Sequence, residues 1–124
     1  MDWEGWAHDF DLSGSDEFPG LFADGGQFCD PVTPWTTDVQ GVADQTRSHF
    51  PDWGALIDSI RTGDRWAFFE WTGTGTFRGD PARPVVVTIH GATIVEVDDH
   101  GKVTRWRDYL DTNEPLQQIK SALT

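Results

Sequence analysis

A single apolar, β-branched run, Val85–Val97, decides more about the architecture than any other part of the chain. Val, Ile and Thr favour extended backbone because their branched Cβ packs well on a pleated surface. Asp98-Asp99-His100-Gly101 follows, a hairpin signal, and residues 102–110 return as a second strand. An antiparallel sheet is therefore expected. Residues 65–77, aromatic and Thr-rich, give a third strand, and the Gly- and Pro-rich segment 79–84 is the loop between them. Residues 55–61 fit helix or strand equally well. Residues 27–30 read as a short strand closed by Pro31 and Pro34.

The helical signals lie mostly ahead of the sheet. Trp3, Trp6, Ala7 and Phe10 recur at helical spacing over residues 3–11, and residues 17–22 read as a helical turn ended by Asp24-Gly25-Gly26. Residues 42–50 form a helix between Gly41 and Pro51. Asn113 is placed to cap a last helix over 114–123, with Leu116, Ile119 and Leu123 on one face. Helices followed by a long sheet make an α+β fold, and 124 residues make one domain, 1–124. A curved antiparallel sheet with helices across its concave face encloses a cone-shaped pocket of the kind that holds small ligands.

Charge narrows the partners. Twenty-one acidic residues against nine basic ones give a net charge of −12. Phosphate backbones and anionic membranes need cationic surfaces, so neither nucleic acid nor membrane is expected. The aromatic fraction of 13% argues for a packed core rather than acidic disorder. The acidic start lacks the features of a signal peptide, and a lone Cys29 forms no internal disulfide; both point to the cytoplasm. His8, His49, His90 and His100 are scattered without ligand spacing, so no metal is expected.

Strand alternation selects a candidate acid. Trp106, Asp108 and Leu110 share one face of the last strand, while Arg105, Arg107 and Tyr109 share the other. A carboxyl between apolar neighbours on a buried face is desolvated, which raises its pKa toward the range useful in acid/base catalysis. Asp30 is either a second carboxylate at the same pocket or a turn residue before Pro31. Trp6, Trp35, Trp71 and Trp106 are candidate pocket walls, with Phe69 on the same strand face as Trp71; Trp3, Trp53 and Trp66 are assigned to packing. Gly73, Gly75 and Gly79 read as bends, and Cys29 as a small buried residue.

Two segments carry a family resemblance. Leu21-Phe22-Ala23-Asp24-Gly25-Gly26-Gln27-Phe28-Cys29-Asp30-Pro31, and Gly101-Lys102-Val103 followed by Trp106-Arg107-Asp108-Tyr109-Leu110-Asp111, resemble the nuclear transport factor 2-like superfamily, on its SnoaL-like polyketide cyclase and limonene-1,2-epoxide hydrolase branch. The resemblance implies that Asp30 occupies the general-base position of the ketosteroid isomerases, with Trp6 and Thr93 where that group has its oxyanion donors. It also implies that Asp108 matches one member of the epoxide hydrolase triad, while Trp71 and Gly73 stand in the other two positions and Phe28 replaces a water-holding Tyr. Ordinary epoxide hydrolysis is not supported by those residues. What the resemblance implies is a cofactor-independent cyclase or isomerase on an apolar polyketide- or terpenoid-like molecule, with Asp108 and Asp30 catalytic. Trp6, Phe28, Trp35, Phe69, Trp71, Thr93, Trp106 and Leu110 would bind the substrate. A homodimer is implied by the same resemblance. The alternatives are epoxide opening, a non-catalytic protein that binds hydrophobic ligands, and an interaction domain.

Overall fold

The computed structural model describes residues 18–124; the helix expected over 3–11, and Trp6 with it, lie outside the described residues. A 3-10 turn, Phe18–Leu21, leads into β1 (Phe22–Cys29), α1 (Val39–His49), β2 (Gly54–Thr62), β3 (Trp66–Phe77), β4 (Val85–Val97), β5 (Val103–Leu110) and α2 (Asn113–Leu123). The strands form one sheet in the order β1-β5-β4-β3-β2. The ambiguous segment near 55–61 is strand, paired antiparallel with β3. The architecture is α+β, as expected, with one difference in the sheet: β1 runs parallel to β5, so the sheet is mixed.

Local chemistry sets the boundaries. Asp38 caps α1 by accepting the Gly41 N–H at 3.0 Å, so the helix starts at Val39 and takes Gly41 inside it. A Cβ on Gly41 would collide with that carboxylate. At α2 the cap position falls on Thr112 rather than Asn113, and its side chain makes no cap bond; Asp111, one residue earlier, accepts the Asn113 N–H on its Oδ1 at 2.9 Å. In the β4–β5 turn, Asp98 Oδ1 accepts the N–H groups of His100 (2.8 Å) and Lys102 (3.0 Å), and Gly101 takes a φ of 75°.

The core lies on one face of the sheet. Ala67, Phe69 and Trp71 of β3 alternate with exposed or half-buried neighbours, as do Val85, Val87, Ile89, Thr93, Val95 and Val97 of β4. Val39 and Ala43 of α1 and the buried Phe18 close over them. The far end of β4 outruns β5, and α2 lies beside that overhang. There Gln118 imitates a strand's peptide group: its Oε1 accepts the Thr88 N–H at 2.9 Å and its Nε2 donates to the Thr88 carbonyl at 2.7 Å. Glu114 accepts the His90 N–H at 2.6 Å.

Candidate active site

One defect in the β4–β5 ladder aims the candidate acid. Val97 pairs with Val103, but Glu96 pairs with Arg105, so β5 carries one extra residue at Thr104. Without that bulge, a strand that buries Val103 would also turn Arg105, Arg107 and Tyr109 into the core. With it, Val103 and Trp106 are both buried, and Asp108 falls directly opposite Thr93. The pairing yields a chain of hydrogen bonds. Trp71 Nε1 can only donate, and it donates to Thr93 Oγ1 at 2.9 Å. The Thr93 hydroxyl is thereby turned to donate to Asp108 Oδ1 at 2.5 Å. Trp106 Nε1 donates to the same oxygen at 2.8 Å.

This arrangement makes the two carboxyl oxygens unequal. Oδ1 accepts both bonds, whereas no donor among the described residues reaches Oδ2. No buried side-chain oxygen lacks a partner among those residues, so Oδ2 is open to the cavity that Asp108 lines. Burial raises the Asp108 pKa from 3.8 to about 7; the bonds from Thr93 and Trp106 oppose the rise, and the nearby Asp30 charge adds to it. A proton held there sits on Oδ2, because Oδ1 is already occupied as an acceptor.

The cavity, about 240 Å³, lies between α1 and the core face of the sheet. Among the described residues, Phe18, Phe28, Trp53, Trp71 and Trp106 supply most of its aromatic wall, Ile89 and Leu110 its aliphatic floor, and Gln45, Thr46 and His49 of α1 its polar side. Asp30 also lines it. Its Oδ1 accepts the N–H groups of Val32 (2.9 Å) and Thr33 (2.7 Å), so Asp30 is both a turn residue and a cavity carboxylate.

Glycines make room for the wall. A Cβ on Gly73 would run into the Trp53 indole, and one on Gly91 into the Trp71 indole. A Cβ on Gly75 would press on the Phe50 ring. Gly73 and Gly75 are therefore seats for rings rather than bends. Trp53 is fixed over its seat because neighbouring Asp52 accepts both the backbone N–H and the hydroxyl of Thr76, each at 2.7 Å.

Of the residues expected at the site, Asp30, Phe28, Trp71, Trp106, Asp108 and Leu110 lie together on the cavity. Three do not. Thr93 is fully buried behind the wall, where it links Trp71 to Asp108. Phe69 is fully buried against Trp106, with ring centroids 6.0 Å apart, and belongs to the core. Trp35 is outside: the guanidinium of Arg105, a residue on the outward face of β5, lies 4.5 Å from its ring centre. Trp53 and the polar face of α1 escape sequence reasoning. The signal for the latter was present as Val42, Thr46 and His49 at helical i, i+4, i+7 spacing, masked by their mixed polarity.

Residues 3–106 match the SnoaL-like domain family. The chain belongs to that family. No curated protein matches this SnoaL-like chain at a significant level. Among solved structures, a candidate SnoaL-like polyketide cyclase from Shewanella putrefaciens superposes with a TM-score of 0.79 at 13% identity, covering 98% of this chain and 88% of that one. A limonene epoxide hydrolase-like epoxide hydrolase from Mycobacterium tuberculosis gives 0.69 at 20% identity, covering 98% and 88%. A phenazine biosynthesis-related protein from Pseudomonas aeruginosa gives 0.77 at 20% identity, covering 96% and 84%. These likenesses establish a nuclear transport factor 2-like fold for the SnoaL-like chain. They leave its chemistry to its own residues.

Proposed function

We propose that this SnoaL-like protein is a cyclase or isomerase that moves a proton on an apolar, polyketide- or terpenoid-like molecule. The observation that carries the reading is the Asp108 carboxyl, raised to about 7, with one oxygen pinned and the other open to an aromatic cavity. Near neutral pH such a group is poised to give and to take a proton. Oδ2–H delivers its proton to the substrate, a ring closes or a double bond shifts, and the Oδ2 carboxylate removes a proton from an adjacent atom. Protons and electrons balance over the cycle, so the reaction needs no cofactor. Asp30 is the second carboxylate, orienting the substrate at the rim. Epoxide opening by the triad of the hydrolases is the weaker reading, since Trp71 donates to Thr93 and Gly73 lies under Trp53.

Two further expectations accompany this reading. The outward sheet face presents Trp66, Ile94 and Tyr109 as exposed apolar groups, which suits a homodimer. A single, buried cysteine suits a cytoplasmic protein.

The test is product analysis on apolar epoxides, β,γ-unsaturated ketones and linear polyketide mimics, with Asp30→Asn and Asp108→Asn run beside wild type. Turnover that falls at least about a hundredfold in Asp108→Asn supports the acid/base role. Turnover unchanged by Asp108→Asn removes it. Binding of panel members without any turnover favours a protein that only carries its ligand.

A further inference from the structure

The charges around the cavity are one-sided. Asp30 and Asp108 line it, and no Lys or Arg does. The sequence strengthens this, because no Lys or Arg precedes Arg47, so residues 1–17 bring none. The cationic side chains that follow are committed elsewhere. Arg47 pairs with Asp44, Arg65 with Asp99 and Arg83 with Asp80, while Lys102 donates to the Gly20 carbonyl at 2.9 Å. Arg105 and Arg107 lie against Trp35 on the outward face. Arg61, Arg78 and Lys120 are exposed and outside the lining.

The polar donors nearest the acid are also committed. The Trp106 N–H and the Thr93 hydroxyl donate to Asp108, and the Trp71 N–H donates to Thr93. Among the described residues, a developing oxyanion beside Asp108 would meet two carboxyl groups and no Lys or Arg, the His49 imidazole on α1 being the one titratable nitrogen in the lining. A developing cation would meet the same carboxyls and the π-systems of Trp53, Trp71 and Trp106, which attract positive charge.

We infer that the group this cavity accommodates beside Asp30 and Asp108 is positively charged in the reacting state, so that its substrates are molecules that carry an amine or form a carbocation on protonation. The inference rests on the same cavity as the proposed function and goes beyond it by fixing the sign of the charge. In the proton cycle above, Oδ2–H forms the new C–H bond, positive charge remains on the substrate, and loss of a neighbouring proton to the Oδ2 carboxylate discharges it. No redox partner enters.

The experiment compares phenyltrimethylammonium with tert-butylbenzene, its neutral isostere, by calorimetric titration of the full chain at pH 8. Wild type is run beside Asp30→Asn, Asp108→Asn and Asp24→Asn, the last removing an exposed charge away from the cavity. The ammonium is expected to bind at least about tenfold tighter than the isostere. That preference should fall at least about threefold in Asp30→Asn and in Asp108→Asn and stay unchanged in Asp24→Asn. Equal affinity for the two probes overturns the inference, as does a preference lost equally in Asp24→Asn, which would report the net charge of the whole protein. If the isostere binds as well as the ammonium while turnover still depends on Asp108, the acid/base reading survives and the charge assignment alone is wrong. An ammonium preference in a protein whose turnover ignores Asp108 would leave the charge assignment standing and remove the acid/base role.

Discussion

Replacing Asp108 by Asn gives the sharpest test, because it reads the buried acid through stability and needs no substrate. A carboxyl whose pKa is raised from 3.8 to about 7 keeps its proton longer in the folded state than in the unfolded chain. Stability therefore falls as pH rises between those two values and levels off above the upper one. At 1.36 kcal/mol per unit, the full penalty is about 4 kcal/mol; less than half of it is present at pH 5, and nearly all of the rest accrues by pH 8. Asp108→Asn retains an Oδ1 acceptor for Thr93 and Trp106 but has no proton to lose. Urea unfolding of both proteins, followed by Trp fluorescence at pH 5, 6.5 and 8, isolates the contribution, since every other carboxylate is common to both. The stability of wild type relative to the variant should drop by about 2–3 kcal/mol from pH 5 to pH 8. Parallel pH dependences, within about 0.5 kcal/mol, would mean that Asp108 ionises like a surface carboxylate and would remove the basis of the acid/base role.

Three other outcomes are expected. Thr93→Val keeps the shape of the side chain but removes the hydroxyl that accepts the Trp71 N–H and one bond from Asp108; it should cost about 1–3 kcal/mol by urea unfolding and move the Asp108 titration, followed by carboxyl-carbon NMR, to higher pH. Gly91→Ala forces the Trp71 indole off its seat, which should cost about 1–3 kcal/mol and change the near-ultraviolet circular dichroism, whereas Ala92→Gly next to it should leave that spectrum in place. Trp35→Ala, acting outside the cavity, should leave ligand affinity within about twofold of wild type, and a tenfold loss would place its ring in the site after all.

Alternation made the sheet legible. The turn at Asp98 to Gly101 announces the β4–β5 hairpin, and period two on β5 separates Trp106, Asp108 and Leu110 from the outward Arg105, Arg107 and Tyr109. What stayed hidden depends on pairing across the chain. β1 reads as interrupted at Gly25-Gly26, yet it continues: Gly25 takes a φ of 75°, and a Cβ on Gly26 would strike the Val103 carbonyl of the neighbouring strand. Its parallel partnership with β5 has no local signature. The Trp71–Thr93–Asp108 chain was equally out of reach, because it depends on the one-residue bulge at Thr104, which shifts the register by a residue. Trp35 stands in a segment without periodicity, so nothing in the sequence tells which side of the sheet its ring takes.

The overhang of β4 beyond β5 has a consequence for how the protein behaves when crowded. Val85-Val86-Val87-Thr88-Ile89-His90 contains no acidic residue, Lys, Arg or Pro, the composition of a segment that pairs readily with copies of itself. Its open side is the place where a strand from another molecule would add, and Gln118 and Glu114 occupy that place with side-chain groups that satisfy the Thr88 and His90 backbone. A helix cannot extend a sheet, so α2 ends the ladder where a further strand would continue it. The last eleven residues of helix thus guard against self-association, and heat or truncation that lifts them away exposes a sticky edge while β5 and its acid remain paired.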